Sequence, residues 1–198
     1  ASDHVTAAAL AGPLPALAGG VRAAHLAALR HVLCPGDVAT ALAVVSCFED
    51  TEQDVRHLAL RVLEDLRCKG DQAVIRAVAS RLADPRESVR EAALEAISVV
   101  ADVGDVSAMA MVSVHLESPS WNVRCTVADA LLQLVPQSER RTATALAKLV
   151  KQRSDALWEQ YAQAITGVIE RWCDSGQVGG LDGRQLLSLT RTQSLMSD

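Results

Sequence analysis

Five histidines and five cysteines are the side chains of this sequence best suited to bind a metal ion. No histidine is followed by glutamate, no two histidines stand four residues apart, and no two cysteines have Cys-x-x-Cys spacing. We therefore predict no metal site and no cofactor. The odd number of cysteines does not fit a disulfide framework and indicates reduced thiols in a reducing intracellular compartment, either the cytoplasm or the interior of an organelle.

Motifs for nucleophilic catalysis and for phosphate binding are missing as well. The sequence has no Gly-x-Ser-x-Gly and no P-loop. The segment GQVGGLDG (176–183) is rich in glycine, but no strand precedes it and its spacing fits no phosphate-binding loop. Neighbouring carboxylates such as Glu64 and Asp65 fall on exposed helix positions, where we interpret them as solvated surface. We predict that the protein is not an enzyme.

The segment ERRTATALAKLVKQRSD (139–155) is basic, although the whole chain carries a net charge of −5. Its cations are either an ordinary solvated surface or a binding site for an acidic protein, RNA or a lipid head group, with contacts that weaken in salt. The negative net charge makes nucleic acid the less favoured partner. The candidate residues are Arg140, Arg141, Lys148, Lys151 and Arg153.

All three tryptophans lie in the C-terminal half of the chain. Trp121 precedes a predicted helix at a position where packing requires no aromatic residue, and Trp158 stands where earlier segments have arginine. Tryptophan is favoured as an anchor of protein interfaces. We take Trp121 and Trp158 as candidate partner-binding residues, the alternative being that they close the end of the folded stack.

These residues belong to a sequence that repeats every 34 residues. A Val-Arg pair recurs at this spacing, and so does an acidic residue that follows glycine three times, as is typical where one helix ends and the next begins. The pairs are Val21-Arg22, Val55-Arg56, Val89-Arg90, Val123-Arg124 and, with both residues changed, Leu157-Trp158. The acidic residues are Asp3, Asp37, Asp71, Asp105 and Glu139.

Each repeat is predicted to form a hairpin of two helices, because its apolar residues recur with helical spacing. One hairpin cannot bury both of its apolar faces, so neighbouring hairpins must stack into an all-α solenoid. The predicted hairpins 1 to 5 cover 3–36, 37–70, 71–104, 105–138 and 139–172. A glycine-rich connection and a short terminal helix make up the tail, 173–198.

The segment LADPRESVREAALEAI (82–97) resembles the consensus of the HEAT repeat, with an Asp-Pro turn before Val-Arg and small apolar residues. Tetratricopeptide repeats share the period but need Trp, Leu-Gly and Tyr residues that are absent here. The resemblance implies a right-handed α-solenoid of about five short HEAT-like hairpins.

The resemblance to HEAT proteins also implies a structural ladder of Asp and Arg side chains that bridge adjacent repeats. Asp50 would pair with Arg56, and Asp84 with Arg90. Ser118 stands at the acidic position of hairpin 4, so the ladder is expected to be incomplete beside Arg124.

Hairpin 1 begins with DHVTAAALAGPLPALAGG (3–20), a stretch that is almost devoid of charge. The outer face of a terminal repeat must be polar if it is to meet water. We therefore expect another chain, or sequence that precedes this one, to cover this end of the stack. The sequence contains no apolar run close to the ~18 residues that a transmembrane helix needs.

The favoured function is a non-catalytic scaffold for protein–protein interactions, held within a larger assembly. HEAT-type di-iron hydroxylases resemble this fold, but they depend on the His-Glu pairs that this sequence lacks. Two alternatives remain: a protein similar to the HEAT-like lyases that attach bilins, and a nucleic-acid-binding solenoid that uses the basic helix 139–153.

Overall fold

The computed structural model describes residues 2–136 and residue 167. The secondary structure of these residues consists of helices and includes no strand, in agreement with the all-α part of the predicted fold class. The eight α-helices come in four consecutive pairs, and three short 3₁₀ helices lie at Leu14–Ala16, Cys47–Glu49 and Val114–Glu117. The α-helices are α1 Ser2–Ala11, α2 Gly19–Leu29, α3 Val38–Ser46, α4 Gln53–Leu66, α5 Gln72–Arg81, α6 Glu87–Val100, α7 Val106–Ser113 and α8 Trp121–Leu134.

The first helix of hairpins 2, 3 and 4 begins at the predicted acidic residue. The carboxylates of Asp37, Asp71 and Asp105 accept hydrogen bonds from main-chain N–H groups of the first helical turn, which confirms these three residues as N-caps. The glycine before each cap has a positive φ of 82° to 87°, a conformation that favours glycine over every other residue. The Gly-Asp pairs therefore end one hairpin and begin the next.

The chain divides into two compact units, Ala1–Asp102 and Val103–Asp198. In the first unit the first helices pack side by side, α1 on α3 and α3 on α5, and the second helices do the same, α2 on α4 and α4 on α6. Apolar side chains fill the space between them and are almost completely buried: Leu14, Leu26, Leu29, Phe48, Leu63, Leu66, Ile75, Leu82 and Ile97.

The second compact unit contains α7, the 3₁₀ helix that follows it, and α8. Helix α8 packs against both α7 and the 3₁₀ helix. The buried side chains include Met109, Leu116, Val127 and Leu131. Hairpin 5 and the tail lie outside the described residues, and their predicted organisation stays a prediction.

Main-chain hydrogen bonds link successive hairpins with the period of the sequence. The N–H of Gly36 donates to the carbonyl of Leu66 and that of Gly70 to the carbonyl of Val100, both at 2.8 Å. Within the second compact unit, Gly104 donates in the same way to Leu134 at 2.7 Å. Each closing glycine thus satisfies a carbonyl at the C-terminal end of the next hairpin, where a helix leaves its last acceptors without partners.

No helix among the described residues is both long enough and apolar enough to span a membrane.

Candidate partner-binding surface

In each of the four described hairpins, the repeated arginine binds the turn between the two helices. The Nη1 of Arg56 donates to the carbonyls of Asp50, at 2.9 Å, and Thr51, at 3.1 Å. The Nη1 of Arg90 likewise donates to the carbonyls of Asp84, at 3.0 Å, and Pro85, at 2.9 Å. The guanidinium group therefore holds the turn through charge-assisted hydrogen bonds to main-chain oxygens. We call this contact the arginine clasp.

This arrangement differs from the ladder expected from the resemblance, in which Asp50 and Asp84 would receive Arg56 and Arg90 on their carboxylates. The difference explains hairpin 4, where serine replaces the aspartate. The Nη1 of Arg124 donates to the carbonyl of Ser118 at 3.1 Å, because a main-chain acceptor is present whatever the side chain. The substitution thus leaves this clasp in place.

The aspartate side chains accept hydrogen bonds from main-chain N–H groups of their own turn. Oδ1 of Asp50 accepts from the N–H of Glu52 at 2.8 Å, and Oδ1 of Asp84 accepts from the N–H of Arg86 at 2.9 Å. The hydroxyl of Ser118 accepts from Ser120 in the same geometry at 3.2 Å. Short polar side chains commonly bond to the main chain two residues ahead, so serine can replace aspartate here.

One side-chain ion pair does bridge hairpins through the repeated arginine. Arg22 of hairpin 1 binds the carboxylate of Asp50 in hairpin 2, and Asp50 is only 6% exposed. Arg22 also donates to the carbonyls of Leu14 and Leu17 in its own hairpin. Sequence reasoning missed this pair because it assigned Asp50 to Arg56. The spacing of 28 residues is no guide, since Arg56 and Asp84 share it and Arg56 binds its own turn instead.

Further ion pairs join hairpins at their exposed edges. Arg81 binds Glu49 at 2.6 Å, and Arg86 reaches the same carboxylate at 3.4 Å. At the opposite ends of the second helices, Arg30 pairs with Asp65 at 2.8 Å and Lys69 with Asp102 at 2.7 Å. Exposed pairs of this kind contribute little to stability, but they leave fewer unpaired charges on the surface.

The outward side of α4 and α6 carries exposed polar residues without such pairing. His57 and Arg61 lie one turn apart on α4, and Glu91 and Glu95 occupy the equivalent positions on α6. None of the four side chains forms a hydrogen bond or ion pair with a described residue. We call these four residues the α4–α6 row. Clasped turns and a buried core hold its two helices, so the row is a preformed polar surface.

The other predicted binding residues fall in two places. Trp121 is the first residue of α8 and is half-buried. Trp158 and the basic residues Arg140, Arg141, Lys148, Lys151 and Arg153 lie outside the described residues.

In the described part of the chain, no three His, Cys, Asp or Glu side chains come together in a way that could hold a metal ion. Burial raises the pKa of the Cys47 thiol to about 11.

Comparison with known proteins gives one result that bears on this fold. Residues 70–97 match the family described as "HEAT repeat associated with sister chromatid cohesion". A comparison with curated proteins found no match. The matched segment begins at Gly70, which links hairpins 2 and 3, and ends in α6, so it covers the Arg90 clasp. The match identifies a HEAT repeat at 70–97 and supports the assignment of the chain as a HEAT-repeat protein.

Proposed function

We propose that this protein is a short HEAT-like α-solenoid of about five hairpins that acts as a non-catalytic scaffold for protein–protein interactions. The observation that carries the proposal is the stacking of hairpins 1 to 3, with first helices on first helices and second helices on second helices. Repetition of this arrangement produces a long surface on which each repeat contacts only its neighbours. HEAT repeats commonly use such a surface to bind proteins.

The α4–α6 row is the proposed contact surface within the described residues. Its side chains are exposed, alternate in charge between neighbouring helices, and bind no described residue. Complementary charges favour correct partners and fast association over high affinity. Trp121 and Trp158 remain proposed anchors of the same kind of contact, since aromatic residues supply much of the binding energy of interfaces.

The scaffold role does not determine the cellular process in which the protein acts. The family description names sister chromatid cohesion, and the match covers one hairpin of the chain. One repeat determines the type of structural unit, whereas the partner depends on surface residues that vary between repeats. The partner is therefore best identified directly from the native complex.

The experiment is to fractionate a gentle native extract by size and to identify co-migrating proteins by mass spectrometry. We expect the chain to migrate well above its own mass of 21.0 kDa, together with defined partners. The double variant Arg61→Ala/Glu95→Ala should lose those partners. Arg76→Ala provides the matched control, because Arg76 is an exposed residue of α5 outside the row.

Migration of the wild-type chain near 21 kDa without partners would contradict the scaffold proposal. The bilin-lyase alternative would then be tested by adding bilin and recording visible absorbance. Equal loss of partners in the double variant and in Arg76→Ala would leave the scaffold role standing but would reject the α4–α6 row as its surface.

A further inference from the structure

Ser118 occupies the turn position at which hairpins 2 and 3 have aspartate. Its main chain has nearly the same conformation as that of Asp50, with φ −57° and ψ 135° against φ −63° and ψ 144°. Both residues donate their N–H to the carbonyl three residues back, and the side-chain oxygens of both accept from the N–H two residues ahead. The turn of hairpin 4 therefore has the geometry that accommodates a negative charge in hairpin 2.

Ser118 is also the one serine or threonine of this sequence that is followed directly by proline. The sequence has six prolines, and the other five follow Gly, Leu, Cys, Asp or Val. A proline keeps the residue before it extended, which is the form in which a protein kinase binds its substrate segment. Glu117, Pro119 and Ser120 around it are exposed, and Ser118 itself is half-buried. The segment thus presents a proline-directed phosphorylation motif at the surface of the folded hairpin.

We propose that Ser118 is a phosphorylation site for a proline-directed protein kinase, with Mg-bound ATP as the phosphoryl donor. The Oγ of Ser118 attacks the γ-phosphorus, and its proton passes to the catalytic aspartate of the kinase. The bond between the γ-phosphorus and the oxygen that bridges it to the β-phosphorus breaks, and ADP leaves. The product carries close to two negative charges where hairpins 2 and 3 carry one.

Arg124 is the cation closest in the turn to this phosphate. Its Nη1 donates to the carbonyl of Ser118 at 3.1 Å, so the guanidinium group lies beside the modified residue. Arginine binds phosphate through charge-assisted hydrogen bonds. The neighbouring Glu117 repels the phosphate, but Glu117 is exposed and Arg124 is half-buried, so solvent screens the repulsion more than the attraction.

The start of helix α8 favours the same charge. Helices α4 and α6 carry Asp54 and Glu87 in their first turns, whereas the first turn of α8 has no acidic residue. A phosphate near the N-terminal end of a helix is stabilised by the helix dipole and by main-chain N–H groups. Phosphorylation of Ser118 therefore supplies the negative charge that α8 lacks.

The experiment is to incubate the purified 198-residue chain with Mg-bound ATP and a recombinant mitogen-activated protein kinase, which requires proline after its target. Tandem mass spectrometry then locates the phosphate. The test variants are Ser118→Ala and Pro119→Ala. Ser120→Ala is the matched control, because Ser120 lies in the same turn and its side chain forms no capping hydrogen bond with a described residue. A synthetic peptide of residues 112–126 shows whether the kinase accepts the sequence itself.

We expect one phosphoryl group at Ser118 in the wild-type chain and in Ser120→Ala, none in Ser118→Ala, and at least tenfold slower transfer in Pro119→Ala. A folded chain that gains no phosphate would overturn the proposal. Phosphorylation of the peptide alone would show that the native turn excludes the kinase, and failure of both would show that the sequence is no substrate. Transfer to another residue, or transfer that Pro119→Ala does not slow, would also overturn it.

A second measurement tests the surroundings of the phosphate. The thermal midpoint of the phosphorylated chain, and that of Ser118→Asp, should lie about 2–4 °C above that of the unmodified chain. The rise should decrease in high salt, because the contacts are ionic. An unchanged or lower midpoint would reject the stabilising contacts with Arg124 and α8.

The phosphorylation site does not depend on the scaffold proposal. A phosphorylated chain that co-migrates with no partner in native extract would reject only the scaffold. A chain that keeps its partners but gains no phosphate would reject only the modification site.

Discussion

Hairpin 1 and hairpin 3 have the same pattern of apolar residues but differ in how deeply it is buried. Ala28 and Ala96 show the difference most directly, because they are the same residue in the same repeat position. Ala96 is completely buried, whereas Ala28 is exposed. The pattern therefore indicates a face that is able to pack, and a neighbouring hairpin decides whether that face is buried.

The largest expected difference in stability is between separate aspartate substitutions at these two positions. Ala96→Asp puts a carboxylate into a fully buried site, and uncompensated burial of this kind typically destabilises by about 4 kcal/mol or more. Ala28→Asp places the same group at an exposed site, where changes stay within about 0.5 kcal/mol. Urea denaturation followed by circular dichroism measures both.

Ala27→Asp serves as the control for helix propensity, because it introduces aspartate into the same helix beside Ala28. It should lower stability as little as Ala28→Asp does. If Ala28→Asp were as destabilising as Ala96→Asp, Ala28 would be buried in the folded protein, contrary to its exposed position.

A second contrast lies in the turns, where Asp50 and Asp84 hold equivalent positions. Asp50 is buried and binds Arg22 of the preceding hairpin, whereas Asp84 binds Arg86 in its own turn, and the Arg86 side chain is 47% exposed. Asp50→Asn should cost about 2–3 kcal/mol, since it leaves a partly buried guanidinium without its counter-ion. Asp84→Asn should cost about 1 kcal/mol or less.

Thermal unfolding of both variants, checked by urea titration, measures this difference. Asparagine keeps the side-chain oxygen that accepts from the main chain at both turns, so the comparison isolates the charge. Equal losses of stability would show that the Arg22–Asp50 pair contributes no more than the Arg86–Asp84 pair.

Two Gly→Ala substitutions are expected to change stability by smaller amounts and in opposite directions. Gly70 has a φ of +83° and donates to Val100, so Gly70→Ala should cost about 1–2 kcal/mol for backbone conformation alone, as a Cβ there meets nothing within 4 Å. Gly20 lies in the first turn of α2, also with open space around it, and Gly20→Ala should stabilise by roughly 0.5 kcal/mol. Chemical denaturation measures whether each substitution raises or lowers the free energy of unfolding. A stabilising Gly70→Ala would contradict the role of its positive φ.

The sequence predicts the repeat well because that information is local. Asp37, Asp71 and Asp105 cap helices as their spacing indicates, and the apolar columns of hairpins 2 and 3 are buried. The choice of acceptor for each arginine is not predictable in this way. A guanidinium group has five donors, and both carboxylates and turn carbonyls lie within its reach. The exposure of Val21 and Ala28 cannot be predicted from residue type either, because residue type does not reveal whether a neighbouring hairpin is present.

The smallest effect concerns pH and separates the two aspartates further. The hydrogen bond from the Arg86 side chain lowers the pKa of Asp84 in the folded protein. The folded state therefore binds fewer protons than the unfolded chain as Asp84 titrates, and its contribution to stability is present above the unfolded pKa of about 3.9 and is lost as pH falls further. The difference in unfolding free energy between wild type and Asp84→Asn should be constant from about pH 7 to pH 5 and should shrink below about pH 4. Urea titrations across this range measure the difference, which should also decrease in high salt because Arg86 is exposed. A difference that is independent of pH would mean that the charge of Asp84 contributes nothing to stability, in contrast to the Asp50 carboxylate paired with Arg22.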